Sequence, residues 1–221
     1  MAYGANFDGL FGTIDSAMSA TGTFDSAGQL TEITFDDRSP VTWRLESGGS
    51  HADFGTDGIL AWGRWIGPVT IPGLFSTENY GPNQGLHYVV GLPTPTMPTS
   101  GGGTYTLIGA TSPTYIEGTT APGTFSGTLN VTFGAQPTVG VDFRVAMPDR
   151  AYTIQTTDQL IPIVGSGFSS SQVSLSVGGC FSSCSARVDG FFAGASAERA
   201  GVGYHIRDLN EVVGAAAFQK Q

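Results

Sequence analysis

The chain is poor in charge. Only 12% of its 221 residues are charged, about half the usual quarter, and lysine occurs once, at Lys220. Eighteen acidic residues against nine basic ones give a formal net charge of −9. A chain of that sign does not neutralise phosphates, so nucleic acid is not expected as a partner. Cysteine is nearly absent, with only Cys180 and Cys184 in GGCFSSCSA. Two thiols leave a zinc ion short of ligands, and their spacing is one residue longer than the CxxC of a thioredoxin-type centre. As a disulfide the pair closes a small loop and implies an oxidising compartment; as thiols the two are ordinary side chains. No apolar run reaches the length of a membrane span. The opening residues MAYGANFDGL lack the basic and apolar segments of a signal peptide.

Motifs of chemistry are missing too. There is no GxSxG nucleophile elbow and no Walker-type phosphate loop. The three histidines, His51, His87 and His205, do not fall at ligand spacing. HADFGTDG offers Asp53 and Asp57 but lacks the acids and the terminal Glu of an EF-hand loop. An enzyme is therefore not expected.

What is present is glycine, 33 residues, and 40% hydrophobic content in short alternating runs rich in Thr, Ser, Val and Phe. That content is too high for a disordered chain and indicates an all-β protein. A seam, GLPTPTMPTSGGG at 91–103, holds Pro93, Pro95 and Pro98 followed by three consecutive glycines and resists helix. It divides the chain into an N-terminal β-rich, handle-like domain at 1–100 and a C-terminal barrel domain at 101–221.

The second segment alternates strictly. Leu129, Val131 and Phe133 share one face, as do Val139, Val141, Phe143 and Val145. Val173, Leu175 and Val177 alternate with Ser, and Val202, Tyr204 and Ile206 alternate with His205 and Arg207. Val212, Gly214, Ala216 and Phe218 make a further face. Adding TYTLIGA, AYTIQTT and RVDGFFAG gives eight strands, each with one dry and one wet face. An antiparallel up-and-down meander of that size closes into an eight-stranded β-barrel, which removes its edges. This reading puts His205 on the solvated face. In the first segment ATGTFDSAGQLTEITFDD reads as a hairpin turning at Asp25–Gly28, and VTWRLES, GILAWGRWIGPVTI and GLHYVVG read as strands of a small mixed sheet. Asp36-Asp37-Arg38 reads as a charged turn, and a short helix is expected within residues 9–20.

Candidate ligand-binding residues come from loops and aromatics. His51 lies in the Gly- and Asp-rich stretch SGGSHADFGTDG, where a loop residue is free to reach a ligand, and His87 sits just before the seam. Trp62, Trp65, Phe75, Tyr80 and Tyr88 either pack the first segment against the barrel or form a partner surface, since aromatics concentrate at interface hot spots. The stretch VDGFFAGASAERAGVGYHI, 188–206, reads as two strands joined by a tight corner. There Gly190, Gly194 and Gly201 allow close backbone approach, and Glu198 accepts hydrogen bonds from turn amides or pairs with Arg187 or Arg199.

These last residues carry a resemblance. The pattern Gly190-Phe191-Phe192-x-Gly194, Ala197-Glu198, Gly201-x-x-Tyr204, then Gly214-x-Ala216-x-Phe218 resembles the end of the eight-stranded barrel of transferrin-binding protein B and its relatives, among them haemophilin-like haem binders and other bacterial surface lipoproteins. WGRW and GLHYVVGLPTP look closer to the barrels found in some FecR-domain proteins. The resemblance spans about residues 102–220. It implies a non-enzymatic binding protein at a bacterial surface, secreted or periplasmic, that captures a host protein or a ligand such as haem, with His51 the residue placed to meet haem. Two alternatives stand beside it: a structural subunit that self-associates into an extracellular oligomer or filament, and a periplasmic sensing domain of a FecR-like regulator.

Overall fold

The computed structural model describes residues 4–8, 14–17, 20–35, 41–71 and 77–221, with side chains from residue 20 onward. Phe75 and the expected turn Asp36-Asp37-Arg38 lie outside the described residues.

Among the described residues, nine strands form the first sheet. They are β1 (Gly4–Asp8), β2 (Ile14–Ala17), β3 (Ala20–Phe24), β4 (Leu30–Phe35), β5 (Val41–Leu45), β6 (Ser50–Thr56), β7 (Leu60–Thr70), β8 (Thr77–Tyr80) and β9 (Leu86–Gly91). The spatial order is β2-β1-β9-β7-β5-β4-β3, with β6 and β8 also on β7. Every pairing among the described residues is antiparallel rather than mixed. Ile14–Ala17, expected within a short helix, is a strand in register with β1. So short a helix is marginal in water, and a neighbouring strand supplies the hydrogen bonds it would lack. The turn at Asp25–Gly28 forms as expected. Asp25 Oδ1 accepts the amides of Ala27 and Gln29, each at 2.9 Å.

Eleven strands form the second unit: β10 (Gly101–Ala110), β11 (Thr114–Tyr115), β12 (Thr124–Phe133), β13 (Thr138–Ala146), β14 (Ala151–Gln155), β15 (Ile161–Val164), β16 (Gly167–Ser169), β17 (Ser176–Gly178), β18 (Ser185–Ala193), β19 (Arg199–Arg207) and β20 (Val212–Lys220). Eight of them close a ring of antiparallel neighbours in chain order: β10, β12, β13, β15, β16, β18, β19, β20 and back to β10. This is an up-and-down eight-stranded barrel.

Two of its members differ from those the alternation singles out. AYTIQTT becomes β14, which extends the wall beyond the ring along the far half of β13 and carries β17 on its outer edge. QVSLSVGG is a strand only at Ser176–Gly178, after a 3-10 turn at Ser170–Gln172. The ring is completed instead by β15 and β16, four and three residues long, too short to show a period.

The interior is packed with side chains. Phe125 stacks on Tyr204 with centroids 4.9 Å apart, Phe143 stacks on Phe218 at 5.8 Å, and Tyr105 meets Phe192 edge-on at 5.7 Å. A barrel of this size filled to its axis offers no lumen for a ligand.

The sheet and the barrel share an apolar seam of Leu60, Trp62, Val89, Phe191, Ala193, Ala215 and Ala217. β20 is therefore buried on both faces, with Val212, Ala216 and Phe218 inward and Ala215 and Ala217 against the sheet. The residues from 91 to 101 lie along the barrel: Pro93 bridges Ala193, and the Thr94 amide donates to the Phe192 carbonyl at 2.9 Å.

Candidate functional site

Two candidate residues from the first segment, Trp62 and His87, lie inside the junction. Trp62 is 8% exposed, and its indole lies between Gly55 of β6 and Gly109 of β10; a Cβ at either glycine would strike the ring. Trp65, Tyr80 and Tyr88 belong to the core of the first sheet. These four aromatics therefore pack and do not form an exposed surface.

His87 is fully buried. Its Nδ1 is 2.7 Å from the Thr111 hydroxyl and its Nε2 is 2.9 Å from that of Thr114, both on the barrel side. Burial, with the Arg64 charge nearby, holds its pKa well below the ordinary value, so the ring is neutral. His51 is not in a loop. It lies in β6, and its Nε2 is 2.6 Å from the Leu30 carbonyl, which also accepts the Trp65 indole N–H at 2.7 Å. His205 is buried, against the expectation of a solvated face, and its Nε2 meets Glu211 at 2.7 Å. Alternation tells which face a residue takes, but not that β1 and β2 lie against that outer face of β18 and β19. Each histidine thus has a ring nitrogen engaged by the protein, and two of them, His87 and His205, lie in the interior. Among the described residues no cluster of His, Cys, Asp or Glu is placed to hold a metal.

The junction is also bolted by charge. Arg64, 5% exposed, donates through Nε to Asp53 at 2.9 Å and through Nη1 to the carbonyls of Pro82 and Gln84. Asp53 accepts the Ser112 amide and hydroxyl of the barrel, both at 3.0 Å. Arg199 of the barrel pairs with Asp57 of the sheet. Burial alone would raise the Asp57 carboxyl, but the amides of Leu60 and Ile59 and the Arg199 guanidinium together hold it below its usual value.

The tight corner after β18 has a structural account. Gly194 sits at φ +86°, a left-handed conformation that favours glycine. Glu198 accepts the amides of Ser196 at 2.7 Å and Ala195 at 3.2 Å, which keep its carboxyl below the usual range. Across the hairpin, Gly201 faces the Phe191 ring, and a Cβ at Gly190 would strike Phe168.

The exposed apolar side chains tell a different story. At the barrel end opposite that corner, three turns meet: 147–150 after β13, 179–184 between β17 and β18, and 208–211 after β19. Cys180 and Cys184 are joined as a disulfide, and Phe181 within that small ring is 68% exposed. Leu209 on the neighbouring turn is 69% exposed. Beneath them Asp208 has a side chain only 1% exposed. Its carboxylate accepts the Phe181 amide at 3.1 Å, the Tyr152 hydroxyl at 3.1 Å and Arg150 Nη1 at 3.2 Å. Burial acts to raise the Asp208 carboxyl, but the amides of Leu209 and Phe181, Tyr152 and Arg150 win, and it stays ionised. Asp149 accepts the Tyr115 hydroxyl at 2.7 Å and Arg150 Nε at 3.2 Å. The Arg150 guanidinium then lies over the Phe181 ring, 5.6 Å from its centre. Two apolar side chains are thus held out to solvent by a hydrogen-bonded base. Sequence reading stopped at the cysteines; the missed signal was a large apolar residue inside a five-residue ring.

The chain matches no protein-family model, and no curated protein matches it. Among solved structures it is similar to the double mutant (Tyr-167-Ala and Trp-176-Ala) of transferrin-binding protein B from Haemophilus parasuis, with 12% identity and a TM-score of 0.51 over 100% of this chain. The Trp-176-Ala mutant of that protein gives 11% identity and a TM-score of 0.50 over 99% of this chain. In both cases the chain spans 45% of the other protein. A surface lipoprotein structure is matched over 99% of this chain and 98% of its own, with 12% identity and a TM-score of 0.42. The likeness is one of fold: a β-sheet domain packed on an eight-stranded barrel, as in transferrin-binding protein B.

Proposed function

We propose that the chain is a non-enzymatic binding lobe displayed on a bacterial surface, and that it captures a host protein through the rim that carries Phe181 and Leu209. The observation that carries this reading is the exposure of both side chains, 68% and 69%, directly above the buried Asp208 network. An aromatic held in place loses little entropy on binding, and hot spots form where such anchors are desolvated by a partner. The packed interior supports a surface mode of binding over a lumenal one. The transferrin-binding protein B fold supports a host protein as the kind of partner.

The test is capture from mammalian serum by the immobilised chain, followed by titration with purified transferrin and with any other protein retained. Saturable capture is expected, weakened by at least about tenfold in the Phe181→Ser/Leu209→Ser variant. No serum protein retained, or equal retention by the double variant, would overturn the reading. So would capture replaced by self-assembly of the chain.

A further inference from the structure

The barrel wall is incomplete on one side. Among the described residues, β17 pairs with β14 alone. β18 pairs with β16 only at Asp189–Phe191, leaving Ser185–Val188 with a strand partner on the β19 side alone. Which groups point into the gap follows from the antiparallel alternation, because a residue's N–H and C=O point to the same side. Phe192 donates away from β19 to the Ser166 carbonyl, and Val188 donates the same way to the Ser170 hydroxyl at 2.8 Å. Ala186, in step with both, therefore turns its N–H and C=O into the gap.

That edge opens onto a groove of about 510 Å³ between β18 and the chain from Ser170 to Leu175. Its volume lies within the range of about 300–1,000 Å³ typical of ligand sites. The segment expected to be a strand does not close the groove: Leu175 and Val177 turn inward onto the barrel core. The lining is polar and basic. Ser170, Ser174 and Ser185 contribute hydroxyls, and Arg187 and Arg207 stand at its side. Both arginines share the outer face of the β18–β19 pair, since Val188, Tyr204 and Ile206 point inward. Arg187 is held by the fully buried Asp189 at 2.7 Å while its side chain stays 40% exposed. A chain of net charge −9 with nine basic residues sets two of them beside an open strand edge.

We infer that this groove takes an extended acidic segment of the captured protein as an added β-strand along Ser185–Val188. Main-chain bonds to Ala186 would supply affinity, and carboxylates facing Arg187 and Arg207 would supply selectivity and register. The inference rests on the reading that the chain is a binding lobe, and adds the chemistry of the occupant.

The test uses the whole chain and two synthetic peptides, Thr-Glu-Val-Glu-Val-Thr and Thr-Lys-Val-Lys-Val-Thr. The acidic peptide is expected to bind saturably, the basic one not, and the Ala186 amide is expected to exchange at least about tenfold more slowly when the acidic peptide is bound. Ala186→Pro removes that N–H and leaves the β19 ladder intact; it should abolish peptide binding without lowering the unfolding midpoint. Arg207→Glu should weaken the acidic peptide and admit the basic one. Failure of the acidic peptide to bind, or equal binding by a folded Ala186→Pro variant, overturns the inference even if serum capture succeeds. Sedimentation of the chain alone completes the test: a dimer lost in Ala186→Pro would make the occupant a second copy and overturn it too.

Discussion

The junction and the rim use the same residue types to opposite ends. At the junction, Trp62, His87, Arg64 and Asp53 gather where sheet meets barrel: His87 and Asp53 find hydrogen-bond partners across it, and Arg64 holds Asp53 from the sheet side. At the rim, Arg150, Tyr152 and Asp208 are spent on one another and on the Phe181 amide, leaving apolar carbon exposed above them. Buried polar groups must be hydrogen-bonded, so both networks are satisfied. The difference is what each network holds: one holds two domains together, the other holds side chains out. A candidate residue's chemistry therefore does not say whether it binds a ligand; its direction does.

Changes at the junction should hit stability, and changes at the rim should hit binding. The largest stability loss is expected for Trp62→Ala, about 3–5 kcal/mol from the cavity left between the domains, read as a fall in the urea midpoint. Asp53→Ala strands the nearly buried Arg64; because Asp53 is partly exposed, about 3 kcal/mol, the low end for a broken buried pair, is expected in the same assay. Opening the disulfide with Cys180→Ser/Cys184→Ser should cost about 2 kcal/mol or less, because the closed loop is short. Phe181→Ser and Leu209→Ser should shift stability by no more than about 0.5 kcal/mol while weakening capture.

The pH dependence sharpens the same contrast. The folded state holds His87 neutral, with a pKa well below its ordinary 6.5, so the unfolded chain takes up the proton first. This contribution to stability is complete above pH 6.5 and is lost as pH falls below it toward the depressed folded value. Urea midpoints measured from pH 7.5 to 5 should decline, and His87→Gln should flatten the decline. Asp208 also has its folded pKa lowered, but from a more acidic starting value. Its contribution is present above the unfolded value of about 3.8 and is lost only as pH falls below that toward the lowered folded value, outside the histidine window.

Much of the barrel was legible in the residues. The alternation in β12, β13, β19 and β20 runs nine or ten residues, long enough for period two to be decisive, and the closed eight-stranded form followed. β15 and β16 were not legible because three or four residues carry no period. Residues 172–175 misled because Val173 and Leu175 alternate with Ser for packing without a ladder. His205 misled because alternation cannot say what covers the outer face. The histidines and tryptophans were visible as unusual residues, but their inward direction depends on contacts across more than twenty positions, such as His87 with Thr111. The rim escaped notice because its apolar residues, 181 and 209, are joined only through Asp208.

The most direct test of the account is amide hydrogen exchange of the whole chain with and without a serum protein retained by the immobilised chain. The account predicts slowed exchange at 179–188 and 208–211, with the junction at 53–65 and 111–114 unchanged. Protection concentrated at the junction, with the rim unaffected, would contradict it.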